Sequence, residues 1–354
     1  MSRFFSDKYK SLEAYVPGEQ PKDMKYVKLN TNESPYPPTD KIAFGAMEEA
    51  KKLQLYSDPE CTYLNEKLAE IYGVKKEQVL VTNGSDEALN FAFMAFCDKD
   101  NPIVFPNITY GFYPVFANLN GIPFYEIPLR EDFKLDYKDY LGICKNIVIA
   151  NPNAPTGCAI PLSDIEQIVK SNKDNIVIID EAYVDFGAES AVKLIDKYDN
   201  LIVIQTFSKS RSLAGARVGF AISNKDIIAD LNTIKFSTNP YNVNRMSMMA
   251  AYLALCDNDY FMNNCKEIIK ARDYTKKELE KLGFLVLDSS ANFIFAKSNK
   301  ISGFDLYKRL KEKGILVRHF EKEEIKEYNR ITIGTKEQMD IFLKNVRSIL
   351  EEIK

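Results

Sequence analysis

Histidine is nearly missing from this chain: His319 stands alone among 354 residues. That scarcity excludes His-rich metal centres and H-E-x-x-H hydrolases. It leaves one base for a Ser-His-Asp triad, and no G-x-S-x-G elbow accompanies it. Tryptophan is absent. The six cysteines, Cys61, Cys97, Cys144, Cys158, Cys256 and Cys265, include no C-x-x-C pair, so reduced thiols are expected rather than a disulfide frame or a zinc site. Neither G-x-G-x-x-G nor G-x-x-x-x-G-K-[ST] occurs, which removes the common cradles for dinucleotides and ATP. No apolar run approaches the roughly 20 residues that span a bilayer. Met1 to Gln20 is mixed and polar, without a signal-peptide core, so a cytoplasmic protein is expected. A net charge of -3 makes no electrostatic case for nucleic acid or an anionic membrane.

What is present describes a globular chain with 45% hydrophobic and 27% charged residues, long enough for about two domains. Residues 1–40 are irregular and proline-rich, and read as an arm over a body. Helical stretches are predicted at Asp40–Leu53, Thr62–Tyr72, Ser85–Phe96 and Ser163–Ser171. Between them lie short apolar runs at Val79–Thr82, Pro102–Pro106, Asn146–Ala150, Asn175–Asp180, Leu201–Thr206 and Ala216–Ile222. Runs such as IVIA and IVIID are apolar at successive positions, the pattern of strands buried on both faces of a parallel sheet. An α/β fold with a mainly parallel, doubly wound sheet is therefore expected over residues 30–245. Residues 246–354 read as a smaller α+β domain: a long helix over Arg245–Leu282, short strands, and a last helix over Lys336–Ile353. Residues 1–29 are assigned to an arm and part of that small domain.

In an open α/β sheet, ligands bind beyond the carboxyl ends of the strands. There this sequence places Asn83-Gly84-Ser85-Asp86, Asn151 to Gly157, Asp180-Glu181-Ala182-Tyr183 and Phe207-Ser208-Lys209, with Arg217 eight residues on. Taken singly, each has an ordinary explanation: a helix cap, a strand-end turn, a surface lysine. Together they offer a helix N-terminus and an arginine for a phosphate, a lysine able to form an imine, and a buried carboxylate for a pyridine nitrogen. That combination describes pyridoxal 5'-phosphate.

These motifs, joined by Leu29 to Pro35, Tyr56-Ser57-Asp58-Pro59, Pro106 to Tyr110, Ser208 to Arg217, Asn239 to Asn244 and Arg330 to Thr335, run nearly end to end. The chain resembles the pyridoxal-phosphate-dependent aminotransferases of fold type I, class II. The resemblance implies that Lys209 bonds the cofactor and shuttles a proton, that Asp180 pairs with the ring nitrogen, and that Tyr183 bonds the ring oxygen. It implies that Tyr110 stacks on the ring and that Ser85, Asp86, Ser208 and Arg217 hold the phosphate. Tyr56 would reach that phosphate from a second subunit, making a homodimer. Arg330 would clamp an anionic substrate group, with Arg318 and Tyr15 nearby. The implied reaction is ping-pong transamination between L-histidinol phosphate and 2-oxoglutarate. Three other readings stay open: an aromatic amino-acid aminotransferase, a decarboxylase of a phosphothreonine-type substrate, and a non-catalytic module that senses the cofactor. One departure stands out. The family has Asn immediately before Pro-Thr-Gly, and here that residue is Ala154, with Asn153 one place early.

Overall fold

The computed structural model describes residues 2–10 and 12–353; Met1, Ser11 and Lys354, which the sequence-based domain limits include, lie outside the described residues. After a short strand β1 (Val27–Leu29) come helices α1 (Asp40–Ala50) and α2 (Thr62–Tyr72). Gly73, at φ 66°, closes α2 in the left-handed conformation that glycine adopts without strain. Strand β2 (Val79–Thr82), helix α3 (Ser85–Phe96), β3 (Ile103–Pro106), α4 (Tyr113–Asn120) and β4 (Phe124–Ile127) follow. Then come β5 (Asn146–Ala150), α5 (Leu162–Ser171), β6 (Val177–Asp180), β7 (Leu201–Thr206), β8 (Gly219–Ser223) and α6 (Lys225–Thr238).

Strands β2 to β8 form one sheet in the order β2-β8-β7-β6-β5-β3-β4. All neighbours are parallel except β8, which runs antiparallel to β2 and β7. The consecutive apolar residues have a direct structural cause. Val177, Ile179 and Val203 enter one core, whereas Ile178, Ile202 and Ile204 enter the core on the opposite face. With side chains alternating along a strand, a sheet covered on both faces needs an apolar residue at every position.

Helices α7 (Arg245–Cys256) and α8 (Asn258–Lys281) lead into β9 (Phe284–Val286), β10 (Phe293–Ser298), α9 (Gly303–Glu312), β11 (Ile315–His319), β12 (Asn329–Thr332) and α10 (Lys336–Glu352). A second sheet has the order β1-β11-β12-β10-β9, so β1 joins the C-terminal strands through a parallel pairing of Val27 with Ile315. A third apolar core lies under this sheet, and Tyr183 and Phe186 of the larger sheet's rim enter it.

Several elements differ from the sequence-based expectation. The helix expected over Arg245–Leu282 is broken at Asp257, whose ψ of 33° leaves the helical region. Strand β1 lies within the stretch expected to be irregular, because three residues on an edge carry no periodic signal. Helices α4 and α6 and strand β4 were not anticipated. In β4, Tyr125 and Glu126 are exposed at the sheet edge, so the buried-strand signature is lost there.

Candidate active site

The carboxyl ends of β5, β6 and β7 point the same way, and the loops beyond them meet the N-terminus of α3. There Gly84 at φ 78° turns the chain from β2 into the helix. A Cβ on Gly219 would overlap the Ser85 amide nitrogen and the Gly84 carbonyl carbon, so β8 presses directly on the first turn of α3. A cavity of about 270 Å³ opens over this turn, lined by Ser85, Asp86, Tyr110, Asp180, Tyr183, Ser208, Lys209 and Arg217 among others. All eight are residues the sequence singled out. Arg217, at φ 54°, donates from its guanidinium to the Asp86 carboxylate at 3.1 Å, and the Tyr110 hydroxyl donates to the same group at 2.8 Å. Thr206 donates its hydroxyl to Ser208 Oγ at 2.9 Å and accepts the Ser208 amide at 3.1 Å.

Asp180 lies at the floor, 5% exposed. Its Oδ2 accepts the Tyr113 hydroxyl at 2.8 Å and its Oδ1 the Ala182 amide at 3.2 Å. Among the described residues no lysine or arginine forms an ion pair with it. Burial pushes its carboxyl up to about 6, against the lowering pull of the two hydrogen bonds. Lys209 extends Nζ to 3.4 Å from the Thr31 carbonyl oxygen and lies 5.7 Å from the centre of the Tyr183 ring. Among the described residues it too forms no ion pair.

A second cavity, about 440 Å³, adjoins the first and shares Thr31, Tyr110, Tyr183 and Lys209 with it. Its far wall carries Tyr15, Arg318 and Arg330. Arg330 donates to the Asn30 carbonyl at 3.0 Å. Its guanidinium lies 5.3 Å from the Phe293 ring and 5.8 Å from the Phe320 ring. Burial draws its pKa below the usual guanidinium value, and among the described residues its Nε has no hydrogen-bond partner. Arg318 donates to the carbonyls of Val16 and Pro17 at 3.2 and 3.3 Å, which ties the N-terminal arm to the cavity. A cation without a carboxylate, facing an open cavity, is a site for an anion.

Tyr56 is not brought to either cavity. It is 79% exposed and stacks on Tyr241 at 4.5 Å. Asn153 is turned away: its amide donates to Ile108 O and Thr156 Oγ1, and its oxygen accepts from Thr109. It does not replace the amide missing at Ala154, which lines the smaller cavity. Two residues without an expected role emerge here. Tyr113, the first residue of α4, holds Asp180, and in the sequence it read as one more aromatic. Asn32 donates to the Tyr183 hydroxyl at 3.0 Å; it lay within the Leu29–Pro35 motif but carried no chemical signal of its own.

A profile of aminotransferase class I and II matches residues 24–346. The chain belongs to that family. This aminotransferase is 51% identical over 353 residues to the histidinol-phosphate aminotransferase of Brachyspira hyodysenteriae, covering 99% of this chain and all of the relative. It is 49% identical to that of Clostridium beijerinckii, covering 99% and 98%. Its fold matches the crystal structure of histidinol-phosphate aminotransferase from Sinorhizobium meliloti in complex with pyridoxal-5'-phosphate, with a TM-score of 0.90, 21% identity and coverage of 100% and 99%. Among the described residues of the aminotransferase, no helix is long and apolar enough to cross a membrane, and no group of three or more His, Cys, Asp or Glu is placed to hold a metal.

Proposed function

We propose that this aminotransferase uses pyridoxal 5'-phosphate to transfer an amino group from L-histidinol phosphate to 2-oxoglutarate, as a cytoplasmic homodimer. The observation that carries the reading is Lys209 at the junction of two cavities, one with a buried carboxylate and the other with a half-buried guanidinium, neither in an ion pair among the described residues. The residues fit the cofactor. Asp180 is a desolvated acid without a cation, which suits a protonated ring nitrogen, and the α3 N-terminus with Arg217 suits a phosphate. The names of full-length relatives support the amine substrate.

Bound there, the cofactor supplies an aldehyde that joins amines and a cationic ring that draws electrons from their α-carbon. The chain's own residues do the rest. Lys209 Nζ would hold the cofactor covalently. Its amine would be the base that takes the α-proton and returns it. Asp180 would keep a proton on the ring nitrogen, and a cation facing it would favour its ionised form. Tyr183 would donate to the ring oxygen, Tyr110 would cover the ring face, and Ser85, Asp86, Ser208 and Arg217 would hold the phosphate. Arg330, with Arg318 and Tyr15 beside it, binds the substrate anion. A guanidinium matches phosphate and carboxylate alike, so one arginine serves both half-reactions. We assign residues 30–245 to the cofactor-binding domain, and residues 1–29 with 246–354 to the small domain and arm.

The test mixes the cofactor-loaded protein with L-histidinol phosphate, phenylalanine or phosphothreonine and follows the visible spectrum of the bound cofactor. Conversion to the amine form is expected to be at least tenfold more efficient in kcat/KM with histidinol phosphate, a difference of about 1.4 kcal/mol in transition-state binding. Equal efficiency with phenylalanine, or carbon dioxide release from phosphothreonine, would overturn the substrate. Lys209→Ala is expected to abolish turnover and the visible band of the covalent linkage.

A further inference from the structure

Asn32 sits in a hydrogen-bond pattern with one consistent polarity. Its backbone N–H donates to Thr332 Oγ1 at 3.0 Å, which leaves the Thr332 hydroxyl proton to be given away. That proton goes to Asn32 Oδ1 at 2.9 Å. The amide is thereby oriented: oxygen toward Thr332, nitrogen toward Tyr183. Nδ2 is a donor only, and it donates to the Tyr183 hydroxyl oxygen at 3.0 Å. The Tyr183 proton therefore has no acceptor on that side, and among the described residues it is given to no other group. Asn292 fixes the segment further by donating to the Asn32 carbonyl at 2.9 Å. Asn32 is 1% exposed and has φ 58°, a conformation that asparagine tolerates better than most residues.

We propose that Asn32 is a positioning residue for Tyr183: toward the phenol it only donates a hydrogen bond and accepts none, so the phenol is held with its O–H pointing into the cofactor cavity. On the same wall Ala154 presents only a methyl group, so the direction of this one hydroxyl decides the hydrogen bonding offered to the cofactor's ring oxygen. The inference rests on the cofactor assignment above. A donor to that oxygen lowers its basicity, and thus the proton affinity of the adjacent linkage to Lys209.

The experiment is a pH titration of the visible band of the Lys209 linkage in cofactor-loaded protein. Asn32→Asp replaces the donor with an acceptor, turns the Tyr183 proton out of the cavity, and raises the midpoint by about one pH unit. Tyr183→Phe raises it at least as much. In the Tyr183→Phe background, Asn32→Asp moves the midpoint by about half as much or less, the remainder being the added charge acting through space. Thr332→Val frees the amide to turn over and shifts the midpoint upward by a smaller step. A residue that merely ties the two sheets together would leave the band unmoved or shift it equally in both backgrounds, and either result overturns the proposal. If Asn32→Asp does not fold, an unchanged midpoint in Thr332→Val overturns it alone. A wild-type band that does not depend on Lys209 would instead overturn the cofactor assignment.

Discussion

A carboxylate withdrawn from water without a cation raises its own proton affinity, and Asp180 is such a group. Its folded pKa of about 6 lies above the ordinary value of 3.8. In the cofactor-free chain the folded state therefore binds the proton more tightly than the unfolded state. The resulting stabilisation is complete below about pH 4 and is lost as pH rises through about 6. Two pH units correspond to about 3 kcal/mol. Glu181 beside it, raised by burial from 4.5 to about 7, acts with the same sign over a similar window, so the Asp180 contribution has to be read as a difference. Asp180→Asn, prepared without cofactor, is expected to melt higher than wild type at pH 8 and to lose that advantage near pH 4. Scanning calorimetry at the two pH values measures this. A variant equally stable at pH 8 would show that the burial has no energetic cost, and the case for a cationic partner would fall with it. The same variant loaded with cofactor is expected to lose the partner of the ring nitrogen, and with it most of its turnover.

Among the secondary-structure elements, the strand–turn–helix joining β2 to α3 depends most on one small side chain. Gly219 begins β8 where the first turn of α3 crosses it, and a Cβ there would meet backbone rather than a movable side-chain tip. Gly219→Ala is expected to cost about 1–3 kcal/mol by overpacking and to weaken retention of pyridoxal 5'-phosphate several-fold, because the displaced amides are those proposed to face the phosphate. Denaturant unfolding and equilibrium dialysis would measure the two effects, and unchanged cofactor retention would remove the α3 turn from the cradle. Strands such as Leu201–Thr206 were legible in the sequence because two covered faces demand unbroken apolar runs. So was the polar rim, because Asn83–Asp86, Asp180–Tyr183 and Ser208–Lys209 each follow such a run directly. Helix α4 was not legible: it begins just after Gly111 and Phe112, and its buried Tyr113 reads as one more aromatic until its hydroxyl is seen on Asp180. Asn32 was invisible as a functional group because its partners Thr332 and Tyr183 are 300 and 151 residues away. Contacts of that range leave no trace in local periodicity.

At the scale of the whole molecule, the feature a single chain does not account for is the apolar surface of α1 and the segment after it. Phe44 is 60% exposed, Leu53 and Leu55 are each 57% exposed, and Tyr56 is 79% exposed. A contiguous exposed apolar patch on a globular protein marks a contact surface, and most symmetric assemblies are two-fold dimers. Tyr56 is held from its own chain by the Tyr241 ring and by Arg245, which donates to the Tyr56 carbonyl at 3.0 Å. It lines neither cavity of that chain, so any service it renders to a phosphate is given to a neighbour. The two halves of this argument separate cleanly in a mixing experiment. Lys209→Ala is expected to be inactive through its own cavity, and Tyr56→Ala to be impaired through its partner's. If the residue acts across the interface, a mixed dimer has one cavity carrying both defects and one carrying neither. Unfolding and refolding the two variants together is then expected to raise turnover above that of either variant refolded alone. If Tyr56 acted within its own chain, both cavities of the mixed dimer would be defective and the mixture would stay as inactive as its parents, whatever the oligomeric state seen by light scattering.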